Sequence, residues 1–265
     1  MTPPIELTGE ALTLADVWDV AVHGREAELS DSARQRMRAA RELVESVHGE
    51  HTYGINTGFG RFVSAHIPEE LAEELQLRLL RSHACGVGEP YPDDVVRAAM
   101  LLRANALAKG YSGARVATAE LLLACLNGGV LPVVPARGSV GASGDLAPLA
   151  HLALPLVGEG EAVVEGERLD GAAALRRVGL EPIRLASKEG LSLVNGTQFM
   201  AAMAALGVVR ARRLAASADL ACAQSLEALQ GSRASFQSAI HRSRPLKGQQ
   251  EAAANIWKLL EGSAI

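Results

Sequence analysis

From Asn195 onward the chain meets no strong helix breaker until Gly231. A helix of about 33 residues would be ~50 Å long at 1.5 Å per residue, and such a helix belongs in a bundle of long helices rather than a sandwich or barrel. Composition agrees with this. Alanine and leucine supply roughly three residues in ten, aromatics only 3% and hydrophobic residues 48%, a balance that favours helix and is too apolar for disorder. The expected fold class is therefore mainly α, a long-helix bundle with a mixed N-terminal region and small β-hairpins. The expected organisation is a mixed α/β region over 1–110 and a helical bundle over 111–265.

Local signals fill in this outline. Ile5 to Leu7 and Ala11 to Leu14 are expected to pair as a hairpin across Thr8-Gly9-Glu10. Helices are expected from Ala15, from Asp31 with Ser30 as cap, and from Pro68 and Pro92, each followed by acidic residues. Val116 to Leu126 reads as a buried helix stopped by Gly128-Gly129, and Val130 to Pro135 as extended. Glu161 to Val164 and Glu167 to Leu169 read as a hairpin around Glu165-Gly166, and a further helix is expected from Gln249.

Several function classes fall away. The net charge of −4 opposes general nucleic-acid binding. The stretch Leu191 to Val209 is uncharged and nearly long enough for a bilayer. However, Asn195, Gly196, Thr197 and Gln198 in succession are costly in hydrocarbon, so it reads as a helix buried in protein, with no membrane partner. The N-terminus lacks a basic segment followed by an apolar one, so no secretory signal is expected. Cys85, Cys125 and Cys222 are odd in number and far apart, and read as free thiols in a reducing cytoplasm. His48 and His51 form HxxH without the HExxH context, so no metal is expected.

The segment GSVGASGDLAPLAHLALPLVG, Gly138 to Gly158, is the most unusual. Gly138, Gly141 and Gly144 precede an apolar helix. One reading is an anion nest at a helix N-terminus, but Asp145 stands where a phosphate would sit and no GK[ST] follows. A second is a structural turn with Ser143 or Asp145 as N-cap. A third is a self-modifying tripeptide. In a tight turn the Gly144 nitrogen can approach the Ala142 carbonyl carbon, since glycine has no Cβ. Ring closure, with loss of one water there and another from Ser143, leaves an exocyclic methylene electrophile.

GSVGASGDLAPLAH, together with YGINTGFG (Tyr53 to Gly60) and NGTQ (Asn195 to Gln198), resembles the aromatic amino acid ammonia-lyases over nearly the whole chain, Leu7 to Leu260. Within them it is most similar to the histidine ammonia-lyases. The resemblance implies a methylidene-imidazolone (MIO) cofactor built from Ala142, Ser143 and Gly144. It implies Tyr53 as base or proton relay and Asn195 as the group holding cofactor and substrate amine. Residue type alone would read Tyr53 as a buried structural tyrosine, and Asn195 as a helix cap.

Ser82-His83 falls where this family discriminates among side chains, and Ser-His resembles the histidine-selective members. His83 would then bind the substrate imidazole, where leucine would leave a buried polar group unpaired. The implied reaction is non-hydrolytic elimination of ammonia from L-histidine to give urocanate, with electrophilic attack on the amine or on the ring. The implied assembly is a homotetramer in the cytoplasm. Family chains run on for about as many residues again, with a further tyrosine, arginine, phenylalanine and glutamate in the pocket. The sequence is thus expected to be an N-terminal half of such an enzyme. The rival expectation is a non-catalytic fragment that self-associates through exposed helices. Phenylalanine or tyrosine lysis and an aminomutase are minor alternatives.

Overall fold

The computed structural model describes residues 2–46, 52–55, 57–58, 64, 67–68, 71–140 and 143–263. The chain forms two compact units, 1–206 and 207–265. The change of sequence character near residue 110 falls inside the first.

The first unit opens with β1 (Ile5–Leu7), α1 (Leu14–His23), β2 (Ala27–Leu29) and α2 (Asp31–Glu45), followed by α3 (Ala72–His83), β3 (Val87–Pro90), α4 (Asp93–Ala108) and α5 (Val116–Asn127). Then come β4 (Leu131–Pro132), β5 (Pro135–Arg137), α6 (Leu146–Ala153), β6 (Glu161–Val164), β7 (Glu167–Asp170), α7 (Gly171–Arg177) and α8 (Glu189–Val194). The long α9 (Gln198–Ala228) continues into the second unit, which adds α10 (Ser238–Arg242) and α11 (Lys247–Leu259). The fold is mainly helical, as the composition implies.

The core of the first unit centres on α4. Val95, Val96, Ala98, Ala99, Met100, Leu101, Ala104, Leu107 and Ala108 are all buried. A helix apolar around most of its circumference must be covered on several sides, and α1, α2 and α5 pack against it. The second unit has its own small core, with Ala223, Ile256 and Leu260 packed by Cys222, Leu226 and Phe236.

Several local expectations are met. Ser30 caps α2, its Oγ accepting from Ala33 N at 3.0 Å. α5 stops at Gly128, and Gly129 takes φ +71°. β6 and β7 pair antiparallel around Glu165 and Gly166, both at positive φ. The breaker-free stretch becomes the 31-residue α9.

Others are corrected. β1 pairs in parallel with β2, not with Ala11 to Leu14. Thr13 is instead committed to a capping box with Asp16, its N–H donating to Asp16 Oδ2 at 2.9 Å, and Leu14 already belongs to α1, so half of the expected second strand is used to start that helix. α3 begins at Ala72 rather than at Pro68, whose carbonyl accepts from Leu71 N at 3.0 Å. Val130 to Pro135 divides between two sheets, β4 pairing with β6 and the start of β5 with β3. The apolar run from Leu191 breaks at Asn195 to Thr197 into α8 and α9.

The β3–β5 pairing positions the glycine turn. It lays the segment after α3 beside the segment that enters that turn, with Val87 opposite Arg137.

Candidate active site

Gly144 has φ +96° and forms a parallel bridge with Gly196. Asp145 N donates to Gly196 O at 2.7 Å. A Cβ on Gly144 would collide with Gly196 O and come within 2.9 Å of Thr197 Cγ2. Only glycine fits here, for both its dihedral and its contact. Ser143 beside it is exposed. Gly141 and Ala142 lie outside the described residues, as do His48 and His51.

Asp145 is 1% exposed. Its Oδ1 accepts from Ser139 Oγ and its Oδ2 from Met200 N, both at 3.0 Å. It stands at the N-cap position of α6 but makes no side-chain cap there. The expected local cap is thus corrected: the carboxylate satisfies a free N–H in the first turn of α9 instead. The glycine turn and the α8–α9 corner are therefore joined by two hydrogen bonds, Asp145 N to Gly196 O and Met200 N to Asp145 Oδ2, and by the Gly144–Gly196 bridge. This brings Ser143 and Gly144 to Asn195 and Gly196.

Asn195 is the exposed C-cap of α8, its N–H bonded to Leu191 O at 3.0 Å. Under it lies Arg103 of α4, 4% exposed. Arg103 Nη1 donates to Asn195 O and to Gln198 Oε1, both at 2.9 Å, and Nη2 donates to Ser192 O. Desolvation by burial lowers its pKa to about 10. A Cβ on Gly196 would meet Gln198 Oε1 and Arg103 Nη1, so the glycine and glutamine of NGTQ are explained by the guanidinium beneath them.

The N-terminal end of α8 is anchored separately. Glu189 is fully buried and accepts from Arg115 N, Nε and Nη2, from Thr118 Oγ1 and from Ala186 N. Burial alone would raise this carboxyl, but the donors from Arg115, Thr118 and the backbone outweigh it and hold it below its ordinary value. Gln76 of α3 accepts from Gly190 N at 2.9 Å, which fixes α3 to α8.

The Thr52–Ile55 turn also rests on this end. Ser187 Oγ donates to Ile55 O at 3.2 Å, and Gly54 (φ +79°) lies so close to Leu191 that a Cβ would be 2.8 Å from Cδ2. Tyr53 in that turn is 49% exposed rather than a buried structural tyrosine.

His83 ends α3. Its Nδ1 lies 2.9 Å from Leu79 O and 3.0 Å from Ser82 Oγ, while Ser82 Oγ donates to Leu79 O. A carbonyl only accepts, so this network assigns the proton to Nδ1 and leaves Nε2 of the neutral ring as an acceptor. The segment beyond is held by Gly86 N donating to His151 Nε2 of α6 at 3.0 Å. Burial lowers the His151 pKa and favours the neutral acceptor.

The structure thus joins Gly144 to Gly196 directly, which sets Ser143 and Asn195 one residue before that bridge on its two sides. It ties the Tyr53 turn and the α3 helix of His83 to the two ends of the same framework, α8 and α6. Sequence reasoning passed over Arg103, and it gave Gln198 and His151 no role of their own within the motifs that contain them. Arg103 did leave a signal: Ala99, Met100 and Leu107 lie three or four residues from it, so it is a charge on an apolar helix face. Among the described residues no group of His, Cys, Asp and Glu could hold a metal ion, and no helix is long and apolar enough to cross a membrane.

Comparison with known proteins places this arrangement. The sequence model of the aromatic amino acid lyase family matches residues 12–265. The chain is 56% identical to the histidine ammonia-lyase of Gloeobacter violaceus, with all of this chain and 52% of that protein covered. It superposes on the crystal structure of histidine ammonia-lyase from Trypanosoma cruzi with a TM-score of 0.87 at 43% identity, covering 96% of this chain and 49% of that one. It superposes on tyrosine aminomutase from Streptomyces globisporus with a TM-score of 0.90 at 36% identity, covering 98% and 49%. The chain spans about half the length of the curated relatives it matches. On its sequence and on the fold that carries the glycine turn, the chain belongs to the aromatic amino acid lyase family.

Proposed function

We propose that this chain carries the electrophile-forming and substrate-orienting half of a histidine ammonia-lyase site, which eliminates ammonia from L-histidine to leave urocanate. The observation that carries the reading is the docking of Gly144 on Gly196, each just after Ser143 and Asn195 in the chain, with Gly144 at a dihedral and in a cradle that exclude any side chain. Residues of that kind fit an MIO group made from Ala142, Ser143 and Gly144. When formed, the group supplies an electrophilic methylene, which no standard side chain provides.

The remaining work falls to ordinary side chains. The hard step is removal of a weakly acidic β-proton while a poor leaving group departs. Tyr53 takes that proton, its phenol being on an exposed side chain that can face a substrate. Asn195, at the corner that receives Gly144, orients the substrate amino group. His83 Nε2 accepts from the substrate imidazole N–H, with Nδ1 already committed to Leu79 O. Partners of this reading are L-histidine and other copies of the chain in a homo-oligomer within the cytoplasm.

The test is intact mass together with ultraviolet absorbance of urocanate. The purified chain should weigh two waters less than its sequence, and Ser143→Ala should abolish the deficit. A well-folded sample of unmodified mass would overturn the reading for this chain. A Ser143-dependent formation of urocanate would establish that it is sufficient for turnover.

A second reading is favoured by one observation. Leu214 in α9 and Leu229 just beyond its C-terminus are 72% and 81% exposed, which suits a self-associating, non-catalytic chain. Association without a mass deficit would support that reading over the first.

A further inference from the structure

We propose that Arg103 is a positioning residue of the site, its guanidinium locking the Asn195-Gly196-Thr197 corner in the shape that receives the Ser143-Gly144 turn. The proposal rests on the self-cyclising reading and deepens it, by naming what holds the reacting backbone in place.

Arg103 is a nearly inaccessible cation in the middle of the core helix, and no carboxylate pairs with it among the described residues. Its Nε has no hydrogen-bond partner there either. Burying a charge is expensive unless it is compensated, and an apolar residue of similar volume would fill the space at lower cost. General packing therefore does not account for an arginine here. The three oxygens it does reach all lie at one corner.

Ser192 O and Asn195 O are carbonyls at the C-terminal end of α8, where the chain turns away and no helical N–H follows. A cation is favoured at that end of a helix. Gln198 Oε1 belongs to the first residue of α9. One rigid planar fork thus spans the end of one helix and the start of the next.

Between its contacts sits Gly196, with no room for a Cβ against Arg103 Nη1. Gly196 presents its carbonyl to Asp145 N at 2.7 Å and bridges to Gly144. The line of contact from Arg103 to the tripeptide is unbroken: guanidinium, Asn195 and Gly196 backbone, then Gly144 and Asp145. A lysine ammonium is a point charge that cannot reproduce the fork, so it should hold the corner only in part.

The experiment compares the 265-residue chain with its Arg103→Met and Arg103→Lys variants by hydrogen exchange resolved to short peptides, and by intact mass at intervals after cell-free synthesis. In Arg103→Met the amides of Asp145 and Met200 should exchange on the order of 10- to 100-fold faster, as expected for loss of bonds to a charged group. Peptides from α1 and α5 should be unchanged, and Arg103→Lys should fall between. The two-water loss should slow in the same order. Unchanged protection at Asp145 and Met200 would overturn the proposal whatever the masses show. So would an equal rise in exchange across α1 and α5, which would make Arg103 a general stabiliser. Should Arg103→Met not fold, Arg103→Lys is read by the same criteria. A wild-type chain without the mass deficit would overturn the self-cyclising reading instead, and the exchange data would still decide whether Arg103 holds the corner.

Discussion

At the scale of single residues, the site is built from positions where only one side chain fits. Gly196→Ala would push a methyl into Gln198 Oε1 and Arg103 Nη1, and should cost about 1–3 kcal/mol by overpacking. At Gly207 in α9 an added methyl would meet nothing within 4 Å, so Gly207→Ala should instead stabilise by roughly 0.5–1 kcal/mol. Urea midpoints of the two variants should move in opposite directions. His83→Leu, in enzyme that turns over, should depress histidine elimination far more than that of phenylalanine or tyrosine. Loss of a hydrogen bond to substrate can be worth ~10⁴ in discrimination, against ~10–200 for a methylene; equal losses would make His83 structural. His151 gives a pH dependence. Its folded pKa lies below the ordinary value because it is buried, so on acidification the unfolded chain takes up the proton first. Its contribution is complete above about pH 6.5 and is lost as pH falls through the folded value. His151→Gln keeps an acceptor without titrating, and should flatten the dependence of melting temperature on pH between about 7 and 5. The tripeptide, Tyr53, His83 and Asn195 were legible only as motifs. The roles of Arg103 and His151 were not, because their partners Asn195, Gln198 and Gly86 are remote in sequence.

At the scale of elements, what could be read depended on whether a signal is local. Ser30 before Asp31, and the glycine pair after α5, act within one turn of the helix they bound, and both were legible. Thr13 was equally local, but its reciprocal bonds with Asp16 compete with a hairpin reading of the same residues. Asp145 is the opposite case. It occupies a cap position by sequence, yet its carboxylate serves Met200, 55 residues away. Asp145→Ala should therefore unfasten α9 rather than α6. Losing the remote cap and the Ser139 bond together should cost about 2 kcal/mol, against about 1 for Ser30→Ala. Chemical denaturation measures both, and faster exchange at the Met200 amide without change in α6 would separate the remote role from the local one.

At the scale of the molecule, α9 decides how the chain behaves in solution. Met203, Leu214, Leu220 and, just past its end, Leu229 are exposed, whereas Leu206 is buried and Leu226 half-buried. The chain itself therefore covers only part of this apolar surface. Size exclusion with light scattering should give a mass above the 27.8 kDa of one chain. Leu214→Glu combined with Leu220→Glu should shift it toward the monomer without lowering the melting temperature, since neither side chain is part of the buried core. A monomer before substitution would refute this. What the sequence determined by itself was the helical class, the length of α9, the caps that act within a turn, and the family motifs, because each depends on residues close together along the chain. Only the tertiary structure decided that β1 pairs with β2, that the apolar run breaks at Asn195, and that Gly144 docks on Gly196 above a buried arginine. Those outcomes depend on which backbone donors and acceptors meet across distances of tens of residues, and burial settles that only once the helices have packed.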